Sequence, residues 1–482
     1  MKIKTPASVL LFTAILFVAA QLSFAQGSDN QPRLAADPRA YSFAESFDGE
    51  NWRSLIELAY WCSGDSGWES AADKINPAVN ELSDLVAAMD DREKGEAVLQ
   101  FMHEHFLSVY HVQQSSLDTL LSSGRFNCVS SAVLYTILGT AVGLEVAGVN
   151  TIDHAFCSVK AGDEHIDVET TNPYGFDPGK KNEFQDGFGK TTGFSYVPPA
   201  NYRDRSFINV LTLFSLILQN RIADAESEDR YVDAVGIAVD RWVLLGGGPG
   251  AVYEDVIIRM LNYGTLLSRA GREEDALAWA YKGVLAYGEH PKWNDFIDGV
   301  ANNLLLKLVR RGQLEEARER LDSLKLRLTA DAVQSLELMV CDAELLAALD
   351  EVMTGGADSD FLEVLNRIRL DEVISAGRLQ EVELNWRLHR IRLIAESEGW
   401  AAANNAAEEA ISEMGRLPQL ESARRIYYSN QKAVLYNAAA DAFNSRLYDE
   451  ARTLTEQAML EFPGDTDFQS LLSTIERALS GN

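Results

Sequence analysis

Cysteine is scarce in this chain: Cys62, Cys128, Cys157 and Cys341 are all there is in 482 residues, far too few for a disulfide scaffold. Basic residues are in short supply too, with 43 Lys and Arg against 72 Asp and Glu, a net charge of −29. So acidic a chain repels phosphate backbones, which excludes a general nucleic-acid binder and disfavours an anionic membrane surface. Beyond the first 25 residues no apolar run approaches the roughly 20 residues needed to span a bilayer. Histidine numbers only seven. His103, His105 and His111 invite a metal reading, but positions 103 and 105 lie about 200° apart around a helix and share no face. No metal or cofactor is expected. What is present is ordinary for a globular protein, 46% apolar and 24% charged, which excludes wholesale disorder, collagen and a coiled-coil rod. At about 150 residues per domain the length suggests two or three domains.

The first residues read as an address. Lys2 and Lys4 precede an apolar run from Val9 to Ala20, and Ser23-Phe24-Ala25 supplies small residues for cleavage. This predicts a signal peptide over 1–25, with no Cys after it to carry a lipid anchor. The expected location is extracytoplasmic, periplasmic or secreted, with no stable membrane insertion after cleavage. That compartment favours disulfides, but spacing cannot pair the four cysteines, and a nucleophilic one must stay free.

Residues 26–44 are polar and Pro-containing, and are expected to form a disordered leader. Helices are predicted from Trp52 to Tyr110, the clearest over Glu93–Tyr110, where Val98, Phe101, Met102, His105 and Val109 share one face and make His105 a core residue. The turn Ser122–Asn127 delivers the chain into an apolar helix from Cys128 to Val142, ended by Gly143. Short β-prone runs follow at Val146–Val149, His154–Lys160 and His165–Thr170. Asn172–Gly179 is loop, and Tyr196-Val197-Pro198-Pro199 is the last extended piece. These elements predict an α+β domain over 45–200.

After about residue 205 the periodicity is almost purely helical. Four segments share a turn pattern: Gly271-Arg-Glu-Glu-Asp-Ala276, Gly312-Gln-Leu-Glu-Glu-Ala317, Gly377-Arg-Leu-Gln-Glu-Val382 and Arg446-Leu-Tyr-Asp-Glu-Ala451, the last followed by Ala458 and Pro463. The pattern resembles a tetratricopeptide repeat, which implies an all-α helical-hairpin array over 205–482. The Gly246–Gly250 stretch lacks the Gly-Lys-Ser/Thr of a phosphate loop and reads as a connection.

The chemistry concentrates around Cys128. A thiol in the first turn of a helix faces unpaired backbone N–H groups and the positive end of the dipole, both of which favour the thiolate. Cys157, in a strand between apolar neighbours, and Cys62 and Cys341, in helical stretches, read as inert core. A cysteine nucleophile needs a base and the base an orienting group. His154 opens a strand that folds back through Ala161-Gly162-Asp163-Glu164. Pairing numbers that sum to 323 put His154 opposite Glu169. A sum of 325 puts it opposite Thr171 with Glu169 diagonal. Both let His154 and Glu169 touch; Asp167 shares the face but lies farther off.

Asn127-Cys128 at a helix start, Asp153-His154-Ala155-Phe156 on a strand and Asp167-Val168-Glu169-Thr170-Thr171 together resemble the transglutaminase-like, papain-like cysteine superfamily, over roughly residues 90–180. The resemblance implies a papain-like core with Cys128 as nucleophile, His154 as base and Glu169, two residues before Thr171, at the acid position. Asp is usual there, and Asp167 is the reserve acid. His165 stands where an aromatic usually precedes the acid. The implied function is a thiol enzyme acting on a carboxamide or peptide bond of a protein or peptide substrate through a thioester, with hydrolysis favoured over crosslinking because water is the default acceptor. The alternative is a non-catalytic interaction or scaffold protein of the cell envelope, in which the repeats hold a partner peptide.

Overall fold

Every segment of α-helix in this chain has to hide an apolar stripe, and most do so against the helix that follows them. The computed structural model describes residues 31–152, 154–178 and 205–481. The expected signal peptide, Asp153 and the piece Tyr196–Pro199 lie outside the described residues. The chain divides into two compact units, Met1–Phe296 and Ile297–Asn482. The described residues are mostly helical, with one four-stranded sheet and one two-stranded pair.

In the first unit α1 (Pro38–Ser46), α2 (Trp52–Ser63), α3 (Trp68–Val86) and α4 (Asp91–His105) lead to β1 (Val109–Tyr110), α5 (Leu117–Ser123) and β2 (Arg125–Phe126). Then come α6 (Cys128–Ala141) and the strands β3 (Val146–Asn150), β4 (Ala155–Ala161), β5 (Glu164–Val168) and β6 (Ser206–Ile208). The sheet is antiparallel in the order β5-β4-β3-β6, while β1 and β2 form a separate two-residue parallel pair. Helix α6 is apolar almost all round and buried from Val129 to Gly139, as a helix enclosed on every side must be. It rests on β3 and β4 and is covered by α2, α4 and α7 (Val210–Ser227).

The sheet-bearing unit therefore extends past the change in sequence character at residue 205. Leu213, Phe214, Ile217 and Leu218 of α7 are buried, packed on α2, α6 and β3. Helices α8 (Tyr231–Leu244), α9 (Ala251–Arg269) and α10 (Glu273–Tyr287) follow as sequential antiparallel neighbours. The glycine stretch 246–250 is the connection between α8 and α9, and Gly248 accepts a hydrogen bond from the Trp242 indole at 2.8 Å.

Helix α11 (Pro291–Arg310) carries the chain into the second unit. That unit is all helix: α12 (Leu314–Leu324), α13 (Ala330–Met353), α14 (Asp358–Asp371), α15 (Ala376–Ser397), α16 (Trp400–Met414), α17 (Pro418–Asn444), α18 (Tyr448–Glu461) and α19 (Thr466–Leu479). From α13 on, each helix packs on the next, and α13, α15, α17 and α19 also touch in succession. This is the contact pattern of stacked hairpins.

The hairpin turns have a common backbone. Gly271, Gly312 and Arg446 all take a left-handed φ, of 76°, 74° and 63°. The residue after each donates its N–H to a carbonyl five residues back, on Leu267, Leu308 and Ala442, at 2.9–3.0 Å. The alanine that closes each motif, Ala276, Ala317 or Ala451, is fully buried. Asp229-Arg-Tyr-Val-Asp-Ala234 is a further copy, with φ 59° at Asp229, an Arg230 N–H to Ala225 bond and a buried Ala234. Asp hides it from a search keyed on Gly. The Gly377 motif is a correction: Gly377 lies inside the first turn of α15, not at a turn before it.

Two more expectations are corrected. Residues 31–44 are not a disordered leader. Arg33 forks onto the buried Asp240 (Nη1 to Oδ1 2.7 Å, Nη2 to Oδ2), Asp37 donates its N–H to the same Oδ1, the Tyr287 hydroxyl donates to the Leu34 carbonyl at 2.5 Å, and Pro38 starts a helix. A bidentate ion pair with a buried carboxylate offsets the polarity of the segment. The helix expected to run to Tyr110 ends at His105, where the Phe106 and Leu107 N–H groups both close on Met102 and the chain turns to pair β1 with β2. His105, left on the last turn, is exposed and stacks on Phe101 at 4.0 Å; it is not core.

Phe214 is fully buried in α7. Phe214→Ala should cost about 3–5 kcal/mol, read by chemical denaturation. A cost below about 1 kcal/mol would mean that α7 is not integral to the sheet-bearing unit.

Candidate active site

Cys128 is the first residue of α6, and its position is set by the residue before it. Asn127 is extended (φ −128°, ψ −172°) and buried. Its side-chain oxygen accepts the Ser130 N–H at 2.9 Å, while the Ser130 hydroxyl accepts the Asn127 N–H at 2.9 Å. Such a reciprocal cap is worth about 1 kcal/mol. The Asn127 amide also donates to the Val112 carbonyl and the Ser115 hydroxyl, each at 3.0 Å, so the 111–116 loop is tied to the helix start. Gly124, at φ 72°, makes the sharp entry: a Cβ there would lie 2.4 Å from Ser108 Oγ. Of the four free thiols only Cys128 is not buried.

His154 sits immediately before β4 in a tight turn, where its carbonyl accepts both the N–H (2.9 Å) and the hydroxyl (3.1 Å) of Thr151. The β4–β5 hairpin closes through Gly162-Asp163, with Ala161 and Glu164 the last pair, and its paired numbers sum to 325. Glu169 is the first residue beyond β5, on the loop 169–175. That loop folds back so that the Glu169 N–H donates to the Gly175 carbonyl at 2.8 Å. A Cβ at Gly175 would stand 1.9 Å from the Glu169 carbonyl oxygen, so only glycine closes the loop this tightly.

These elements bring three of the sequence-predicted residues together. His154 Nε2 lies 2.6 Å from Glu169 Oε2. The other carboxylate oxygen accepts the Thr171 hydroxyl at 2.7 Å and the Thr171 N–H at 3.3 Å. The Cys128 sulfur is near enough to the His154 ring to strengthen its hold on a proton. Burial alone lowers the affinity of the imidazole for its proton, but the Glu169 carboxylate and the hydrogen bonds to Cys128 and Glu169 outweigh it and raise His154 well above its ordinary value.

Asp167, the reserve acid, is not brought to His154. Both its oxygens are taken by Arg205, Nη1 to Oδ2 and Nη2 to Oδ1 at 2.6 Å each, and the guanidinium lies over Phe156 and Phe207. His165 packs against Phe207 with ring centroids 5.2 Å apart.

The other cysteines differ in kind. Cys157 is fully buried, donates to the Ala132 carbonyl at 3.4 Å, and is pushed up by burial to about 12. Burial also raises Cys62 and Cys341, the latter against the opposing pull of Arg318, whose Nη2 lies 3.1 Å from its sulfur.

Sequence reasoning missed Tyr110. It pairs with Phe126 across β1 and β2, with ring centroids 5.7 Å apart, and is close enough to the site that burial first, then negative charge on Cys128 and Glu169, holds its phenol protonated. Read as part of a helix, it carried no sign of that contact.

No protein-family profile matches the chain, and no curated protein sequence matches it. Among solved structures it is similar to menin, in a crystal structure described as revealing the binding site for Mixed Lineage Leukemia (MLL) protein. The alignment covers 83% of this chain and 93% of that one at 11% identity and a TM-score of 0.28, a likeness too slight to define a shared fold.

The raised His154 has a pH signature. Its pairing with Glu169 stabilises the folded state fully below the ordinary histidine value of about 6.5, and that contribution is lost as pH rises through the higher folded value. Long-range ¹H–¹⁵N spectra should therefore show His154 titrating above the ordinary histidine value, with Glu169→Gln moving its titration down. A neutral His154 at pH 6.5 in the unmodified protein would contradict the pairing.

Proposed function

We propose that the protein is a cysteine-dependent acyl-transfer enzyme of the transglutaminase-like, papain-like type, acting outside the cytoplasm on a carboxamide or peptide bond. The observation that carries this is the chain of contacts Cys128–His154–Glu169, in which a non-buried thiol at a helix start meets an imidazole already held by a buried carboxylate.

In this reading the Cys128 sulfur attacks the carbonyl carbon and forms the S–C bond. Charge moves onto the carbonyl oxygen, where backbone N–H groups at the start of α6, including that of Cys128, receive it. Collapse breaks the C–N bond, and the His154 imidazolium gives its proton to the departing amine. Water, deprotonated by His154, then releases the acyl group from the thioester as a carboxylic acid. An incoming amine would release it as a new amide, but water is always at hand and hydrolysis is favoured. Glu169 keeps the ring oriented and its charge compensated, with Thr171 fixing the carboxylate.

A second reading has its own observation. In the helical unit a groove of about 690 Å³ is lined by Val309, Leu338, Met339 and Leu346 together with Asp342 and Arg378, an apolar lining with one charge of each sign. There the protein would act as a scaffold, with the array holding its partner.

Thiol reactivity separates the two. Cys128 is expected to be the first of the four cysteines alkylated at neutral pH. His154→Ala should slow it by about 10²–10⁴-fold, Glu169→Gln by less, and Asp167→Asn least, because Asp167 is engaged by Arg205. Labelling of Cys157 or Cys341 first, indifferent to His154→Ala, would leave the scaffold reading standing.

A further inference from the structure

The nucleophile and the acid come from segments 41 residues apart, and something must hold the two in step. Thr170, next to Glu169 and fully buried, touches both sides. Its hydroxyl lies 2.8 Å from that of Ser131, and Ser131 donates to the Cys128 carbonyl at 3.2 Å. On its other side the Thr170 carbonyl is met at 3.1 Å by Nε2 of His103 from α4. A carbonyl can only accept, so His103 carries its proton on Nε2. Between the Thr170 and Ser131 hydroxyls either can be the donor, and the contacts His103–Thr170–Ser131–Cys128 run unbroken from α4 to the start of α6.

We propose that His103 is a positioning residue for the Cys128–His154–Glu169 site, acting through Thr170 and Ser131 to fix the acid's loop against the first turn of α6. The inference rests on the acyl-transfer reading of that site. The His103 and Phe126 rings meet in a T, with centroids 6.1 Å apart and planes at 90°, which restrains the imidazole's orientation. Burial lowers its titration to about 4, against the opposing pulls of the Thr170 bond and Glu169, so the ring stays neutral, a proton on Nε2, across the range in which the catalytic pair works. The clamp is thus a constant, while the pair it aligns titrates.

The test is the pH profile of Cys128 alkylation by iodoacetamide in the full chain, for the wild type and for His103→Ala, His103→Gln and Ser131→Ala. A displacement of about 1 Å costs up to 10²-fold in aligned reactions. His103→Ala is accordingly expected to lower the plateau rate on the order of tenfold and to shift the limb of the profile set by His154. His103→Gln, whose amide nitrogen can donate to the same carbonyl, should restore both. Ser131→Ala, which leaves His103 and Thr170 joined, should reproduce the loss, and it keeps the test open if His103→Ala fails to fold. A wild-type limb that His103→Ala and Ser131→Ala leave in place overturns the clamp alone, as does a His103→Gln protein that folds but is not restored. A wild-type profile without any limb dependent on His154 overturns the acyl-transfer reading and the clamp with it.

Discussion

A carboxylate and an imidazole 2.6 Å apart and mostly out of water set the terms for everything around them. Taking either charge out of solvent costs several kcal/mol, recovered only when geometry and further hydrogen bonds are good. The surroundings of Glu169 meet that demand. One oxygen takes His154, the other takes the hydroxyl and N–H of Thr171, and the loop carrying all of it is closed by a glycine that admits no side chain. The β4–β5 hairpin, the tight turn at Thr151 and the cap at Asn127 each contribute one coordinate of the same arrangement.

The choice of Glu over Asp has a geometric reason. The β4–β5 ladder ends at Cys157 and Val168, so His154 and Glu169 both stand just beyond it, the first in its turn and the second on the loop that folds back to Gly175. The extra methylene of Glu lengthens the reach of the carboxylate from this loop to the ring, which it meets at 2.6 Å. Thr171, two residues on in the same loop, turns its hydroxyl on the carboxylate. Asp167, two residues back along the strand, is claimed by a bidentate arginine, so the two acids on this face have separate duties.

Local chemistry was the legible part of the sequence. The Asn127-Cys128 helix start, the β3–β5 strands and the Gly-to-Ala turns are short-range signals, written within a few residues of where they act. The contact of His154 with Glu169 was expected from period-two alternation in a hairpin, though the structure makes it just past the paired stretch, through a turn and a loop. What the sequence hid depends on distant partners or on stand-ins. The Asp229 turn uses Asp where the pattern called for Gly. The Arg33–Asp240 tie joins residues 207 apart and turns a segment of disordered composition into structure. Helix α7 has the same periodicity as the helices after it, and only its contacts with α6 and β3 show that it belongs with the sheet. His105 fitted an apolar stripe that the chain abandons one residue later.

The distribution of sulfur has a consequence for oxidative chemistry. Cys62, Cys157 and Cys341 are buried, and none of the four is paired. An oxidant in the surrounding medium therefore meets one sulfur, and a sulfenic acid formed on Cys128 would find no second exposed thiol on its own chain to resolve it as a disulfide. Such a site either relies on an external small thiol for repair or climbs irreversibly to the sulfinic state, which makes the redox poise of its compartment a determinant of how long each molecule keeps its accessible thiol.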